Sequence, residues 1–295
     1  MSDPRLQKAQ EYAKQADKKI SKWIYLGGNK YEDAKELYEK AANLFKMCKE
    51  YSEAAEMYEK MVTCCLKMGD SRYEAATSYI DAANMHKKSS KPDAIDALQK
   101  AIILFAEDGK FQTAAKHEQE IAELYEEMEN YEKAVEHYKI AKNYFENENS
   151  KSSSIKCYVA LGHIEATREN YDEAIEAFES AGNMCVDDKL LTWSAKEYFF
   201  KAALCHLCKK KHFEDIDDFK ETLESYADND VHFQDCAEMK LLNQMVAAIE
   251  EQNVTELTNA IRDYNNLKKL DSWKTTILLR VKKALQNAVA NPVLI

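Results

Sequence analysis

Apolar positions in the first two-thirds of the chain return in a cassette of about twenty residues. With cassette starts at 31, 51, 73, 91, 111, 131, 151 and 171, the spacings are 20, 22, 18, 20, 20, 20 and 20. Six starts are aromatic: Tyr31, Tyr51, Tyr73, Phe111, Tyr131 and Tyr171. Three residues on stands alanine, at Ala34, Ala54, Ala76, Ala94, Ala114, Ala134 and Ala174, and seven on a second aromatic recurs, at Tyr38, Tyr58, Tyr138, Tyr158 and Phe178. Steps of three, four and seven fall on one stripe of a helix. The pattern predicts eight helices between 31 and about 186, joined by polar turns near 47–50, 69–71, 89–91, 107–110, 127–130, 147–151 and 167–170. Two helices per repeat, with small alanines allowing close approach, give an all-α, tetratricopeptide-like helical-hairpin array.

Before the cassette, 4–21 reads as an opening helix with Leu6, Ala9, Ala13, Ala16 and Ile20 in phase. An apolar cluster, Trp23, Ile24, Tyr25 and Leu26, follows and ends at Gly27-Gly28. Beyond Val186 the cassette fades, but apolar stripes continue over 190–208, 213–226, 236–249, 254–264 and 273–289. The expected organisation is therefore a repeat array over 1–186 and a C-terminal helical bundle over 187–295 that caps it.

Composition narrows the function classes. Only 6 Gly and 3 Pro leave few helix breakers, and no stretch alternates with period two. A net charge of −11 argues against nucleic acid as a partner, because phosphate neutralisation needs a basic surface. No apolar run reaches the ~20 residues of a bilayer span, and the start lacks a secretory pattern, so a cytoplasmic protein is expected. The 8 cysteines are scattered through helical segments as reduced core residues are. Cys205 and Cys208 have Cys-x-x-Cys spacing but lie inside a helical run with no second ligand pair, which reads as structural. Phosphate loops, nucleophile elbows and zinc-protease motifs are absent, so no enzyme activity, cofactor or metal is expected.

The solvent phase of the cassette carries more. Five residues after starts 51, 91, 131 and 171 stand Glu56, Asp96, Glu136 and Glu176; after the interleaved starts stand Glu36, Ser78, Lys116 and Lys156. Alternate helices of a hairpin array line opposite faces. One face should be acidic and the other should turn basic towards its middle, where an acidic, elongated partner would fit. Solvated lysines with no such role would look the same in sequence.

Several stretches resemble the soluble NSF attachment proteins, specifically the alpha type. They are Ala-Ala-Asn-Leu-Phe-Lys at 41–46, Phe-Gln-Thr-Ala-Ala-Lys-His at 111–117, Ser-Ala-Lys-Glu-Tyr-Phe-Phe-Lys-Ala-Ala-Leu-Cys-His at 194–206, Glu-Glu-Gln-Asn-Val at 250–254, and Leu-Asp-Ser-Trp-Lys-Thr-Thr-Ile-Leu-Leu-Arg-Val-Lys-Lys at 270–283. The two long stretches are far more specific than generic repeat similarity, and the likeness runs from about 5 to 286. The resemblance implies a twisted superhelical sheet of helical hairpins followed by a bundle. It also implies a non-enzymatic adaptor, a monomer when free and peripherally associated with membranes. Such an adaptor wraps the acidic SNARE complex, a syntaxin-type four-helix bundle, and recruits the NSF-type AAA+ ATPase that unwinds it.

On this sequence the matching basic positions are Lys110, Lys116, Lys156 and Lys196, while Ala160 stands where the family has a further lysine. Leu190 and Trp193 fall at an apolar and an aromatic contact to the SNAREs, and the 23–26 cluster, flanked by Lys18, Lys19, Lys22 and Lys30, falls near the family's membrane-attachment loop. Packing of 23–26 onto the fold is the competing expectation. At the tail, Leu294 keeps the family's penultimate leucine for contact with NSF, but the acidic run before it is missing. From Ser272 on, the charged residues are Lys274, Arg280, Lys282 and Lys283, which would repel a basic ATPase surface. The alternatives are a SNAP-like mimic that holds SNAREs without productive ATPase activation, or a repeat scaffold for another acidic partner.

Overall fold

The computed structural model describes residues 3–22, 29–69, 71–210, 213 and 216–290. Among them there are helices and no strands. In chain order these are α1 (Pro4–Ser21), α2 (Lys30–Met47), α3 (Tyr51–Met68), α4 (Arg72–His86), α5 (Lys91–Glu107), α6 (Phe111–Glu127), α7 (Tyr131–Asn147), α8 (Lys151–Thr167), α9 (Tyr171–Val186), α10 (Thr192–Lys209), α11 (Asp217–Asn229), α12 (Val231–Gln234), α13 (Ala237–Glu250), α14 (Val254–Leu267) and α15 (Ser272–Ala290). Two compact units divide at 150/151. The cassette itself persists to Val186, so α8 and α9 carry the repeat pattern but belong to the second unit.

In the first unit, α1 to α7 each pack on the next. The cassette alanines Ala34, Ala54, Ala94, Ala114 and Ala134 are fully buried, and Tyr38, Tyr58 and Tyr138 bury their rings seven positions after the start. α4 departs from the expected phase. Ser78, read as solvent-facing, is 5% exposed, and Tyr73, read as the aromatic start, is 59% exposed. The buried pair is Ala75 and Ala76, which sets the repeat start at Arg72 and puts Thr77 on the solvent side. The small residues that face the neighbouring helices fix the rotation of α4, not the tyrosine, which lies edge-on to Phe105 at 5.9 Å.

Most of the hairpin turns close with left-handed residues, mostly non-glycine: Lys49, Glu129, Asn149, Glu169 and Gln252, alongside Gly109. In each, helix-end carbonyls gain donors, as where Asn130 N donates to Tyr125 O at 2.9 Å and Glu50 N to Phe45 O at 3.0 Å. This pattern explains how so many hairpins form with six glycines.

In the second unit, α8, α9 and α10 pack in series, and α10 then serves as the hub against which α11, α12, α13 and α15 dock. Gly162 and Gly182 admit Phe178 and Phe199 so closely that a Cβ on either glycine would meet the ring at 2.7 Å. The two long stretches that carry the resemblance lie in this core. Phe199, Phe200, Ala202, Ala203, Leu204 and Cys205 are at most 1% exposed. The Asp-Ser-Trp-Lys segment starts α15, with the Asp271 carboxylate accepting from Lys274 N at 2.7 Å.

Lys274 is itself buried, pairing with Glu197 at 2.5 Å and Asp271 at 3.4 Å. Lys268 joins Glu197 (3.6 Å) to the buried Glu238 (2.6 Å), on which the Tyr264 hydroxyl also donates at 2.8 Å. Burial alone would raise the Glu238 carboxyl, but these donors outweigh it and hold the group at about 2.

Candidate partner-binding site

The first unit positions Lys110 and Lys116 on α6. Gly109, at φ 68°, ends α5, Lys110 N donates to Phe105 O at 2.8 Å, and the Lys110 carbonyl accepts from Ala114 N at 3.0 Å. The Lys110 backbone thus ties both helix ends while its side chain is exposed. Lys116 follows the buried Ala114-Ala115 pair and is exposed. Its charge acts on the adjacent His117. Burial, then Lys87, then Lys116 hold that imidazole down at about 4, although Nδ1 lies 2.9 Å from Glu120. A neutral ring donating from Nδ1 satisfies both observations.

The second unit positions Lys156, Leu190, Trp193 and Lys196. Lys156 is exposed in the second turn of α8, beside the buried Ser154-Ile155 pair. Between α9 and α10 the Asp188 side chain accepts from Leu190 N at 2.9 Å, and its carbonyl accepts from Leu191 N and Thr192 N. This aspartate-built turn leaves Leu190 at its tip, 90% exposed, while Leu191 packs on the core. Trp193, 64% exposed in the first turn of α10, has Lys196 one helical turn further on. Its indole stacks on the imidazole of His232 in α12, with centroids 4.2 Å apart and planes 21° from parallel.

None of Lys110, Lys116, Lys156 and Lys196 forms an ion pair among the described residues. Of the cassette's acidic positions, Glu56 pairs with Lys60 at 3.1 Å and Asp96 with Lys100 at 2.6 Å, while Glu136 and Glu176, like these lysines, form no ion pair among the described residues. The intervals from Lys116 to Lys156 and from Lys156 to Lys196 are each one full hairpin repeat, 40 residues. Lys116 and Lys156, unpaired, exposed and one repeat apart, are available to an external anion, and Lys196, half-buried, keeps the same interval.

Trp23, Ile24, Tyr25, Leu26 and Leu294 lie outside the described residues. Of the lysines flanking 23–26, two make internal contacts: Lys19 pairs with Asp33 at 2.9 Å, and Lys30 donates to the carbonyls of Ile20 and Lys22 at 3.1 and 3.2 Å, closing the end of α1. Cys205 is in the core, and burial drives its thiol well up and that of Cys208 to about 12. Among the described residues no group of three or more His, Cys, Asp or Glu is placed to hold a metal ion, and no helix is long and apolar enough to cross a membrane.

Two features of this region escape sequence reading. α12 has four residues, too few to show a period, and His232 reaches Trp193 only because the chain returns 39 residues later. Arg280 is the other: its guanidinium caps the end of α8 from α15.

The family model described as "Soluble NSF attachment protein, SNAP" matches residues 7–286. The chain is similar to an alpha-soluble NSF attachment protein of Mus musculus, 40% identical over 264 residues, covering 89% of this chain and 88% of that protein. It is also similar to one of Vitis vinifera, 37% identical over 281 residues, covering 95% of each. Among solved structures, a signal-transduction ATPase with a tetratricopeptide repeat sensor from Pyrococcus horikoshii aligns with TM-score 0.50 at 16% identity, over 94% of this chain and 44% of that one. That last likeness speaks to the helical-repeat fold alone.

Proposed function

The chain belongs to the soluble NSF attachment protein family, and on that premise we propose that it is a non-enzymatic adaptor in vesicle fusion and transport. It binds assembled, syntaxin-type SNARE bundles and brings the NSF-type ATPase to them for disassembly. The observation that carries this reading is the set of lysines held without carboxylate partners among the described residues, Lys116, Lys156 and Lys196 at 40-residue intervals and Lys110 at the start of α6. Charge of this kind steers an acidic bundle and orients it, whereas Leu190 and Trp193 supply apolar surface that dehydrates on contact. The protein works at cytoplasmic membrane surfaces as a peripheral, monomeric component, with residues 23–26 as the apolar contact and Leu294 as a contact to the ATPase. In this reading the array 1–186 and the bundle 187–295 divide the tasks of holding the bundle and presenting it.

A second reading keeps SNARE binding but not ATPase activation. It is favoured by α15, whose only charged residues are Lys274, Arg280, Lys282 and Lys283. An NSF-driven disassembly assay with purified SNARE bundles decides between them, run with the full chain and with the last ten residues removed. Stimulated disassembly that drops on truncation supports the adaptor. Bundle binding without stimulation supports the mimic, and no binding to the bundle at all overturns both.

A further inference from the structure

We infer that His232 is a positioning residue for the partner-binding site, holding Trp193 in the orientation that meets an apolar ridge on an acidic helical bundle. The inference rests on the proposed SNARE-binding role of Trp193 and adds α12 to that site. A tryptophan that is 64% exposed in the first turn of a helix has little of its own helix to rest on. Left alone it would exchange rotamers, and fixing it at a partner's surface would cost conformational entropy. Here one indole face is taken by the His232 ring at 4.2 Å, which limits that exchange before any partner arrives.

The support under the imidazole is rigid. Phe233, the next residue, is fully buried and lies edge-on to Phe199 and Tyr226, each 6.2 Å away. Asp230 fixes the start of α12, its side chain accepting from His232 N at 3.0 Å and its carbonyl from Phe233 N at 2.8 Å. Asp230 N in turn donates to Tyr226 O at 2.9 Å, tying the short helix to the end of α11. A chain of contacts therefore runs from the core through Phe233 to His232 and out to Trp193. The opposite indole face and Leu190 remain for the partner, with Lys196 one turn away to meet a carboxylate beside the apolar ridge.

The test uses the full chain and a purified, assembled SNARE bundle, comparing His232→Ala, His232→Phe, Trp193→Ala and the Trp193→Ala/His232→Ala double variant. Fluorotryptophan labelling adds a second readout, with the Trp193 resonance assigned by its loss in Trp193→Ala. His232→Ala is expected to weaken binding about three- to tenfold and to shift the Trp193 resonance. His232→Phe, which keeps a flat ring, should restore both, and His232→Ala should add nothing once Trp193 is gone. Wild-type affinity for His232→Ala, with Trp193→Ala still weakened, overturns the positioning role alone. An equal loss from His232→Ala with or without Trp193 overturns it too, because the effect is then structural. Wild-type binding by Trp193→Ala overturns the underlying assignment of Trp193, and the inference with it.

Discussion

The guanidinium of Arg280 donates to the carbonyl of Ala166 at 2.6 Å, joining α15 to the end of α8 across 114 residues of chain. It also donates to Thr167 O at 3.1 Å and to the Tyr171 hydroxyl at 3.2 Å, and lies 3.7 Å from Glu169. Helix-end carbonyls lack intrahelical donors and carry the negative end of the dipole, so a forked cation suits them. Arg280→Ala should lower the unfolding free energy by about 2–3 kcal/mol, and Arg280→Lys should recover less than half, because an ammonium cannot span both carbonyls. Denaturant titration of the three proteins measures this; an alanine variant within about 0.5 kcal/mol of wild type would refute it.

Gly162 faces Phe178 without a Cβ because the ring already occupies that space. Alanine at a mid-helix glycine ordinarily gains up to about 1 kcal/mol of helix stability. Here the added carbon would sit 2.7 Å from a ring that is fully buried between His163 and Trp273, at 5.4 and 5.5 Å. Overpacking should win, leaving Gly162→Ala less stable by about 1–2 kcal/mol. A variant as stable as wild type, or more so, would show that the ring yields.

The turn between α6 and α7 holds Glu129 at φ 56°, in the left-handed region where a side chain is strained. Glu129 is exposed, so its side chain has little packing to lose. Glu129→Gly is expected to raise stability by about 0.5–1 kcal/mol, read as a higher midpoint in thermal unfolding. An unchanged or lower midpoint would mean that unfolded-state entropy outweighs the relieved strain.

Stability should fall on mild acidification, partly through His163. Burial, then Lys201, hold its imidazole at about 4, with Asp271 opposing. The folded value lies below the unfolded one, so the unfolded chain takes up the proton first as pH falls. The contribution is complete above about pH 6.5 and is lost between there and pH 4, the loss having reached about 2 kcal/mol by pH 5. His163→Gln should flatten that part of the stability–pH curve; an unchanged slope would locate the titration elsewhere.

Reversing Lys116 and Lys156 to glutamate should slow association with an acidic SNARE bundle about tenfold at low salt, with the gap narrowing as ionic strength rises. Both side chains are exposed, so stability should move by less than about 0.5 kcal/mol. Stopped-flow association at two salt concentrations checks this. Salt-independent, wild-type rates would remove the basic positions from the interface.

Much of this architecture is legible in local periodicity. The opening helix is read at 4–21 and found over Pro4–Ser21, and the buried Ala114 and exposed Lys116 follow from counting along one cassette. A helix's exposed stripe repeats with its own turn, so neighbours in sequence carry the information. The phase of α4 is misread by the same counting, because Tyr73 marks the cassette in sequence while Ala75 and Ala76 do the packing. Long-range relations have no such local trace. The stack of His232 under Trp193, the cap of Arg280 on α8 and the burial of Lys274 against Glu197 each depend on where the chain returns after tens of residues. Local spacing sets which way a side chain faces, but only the packed neighbour decides whether that face meets solvent, a ring or a charge.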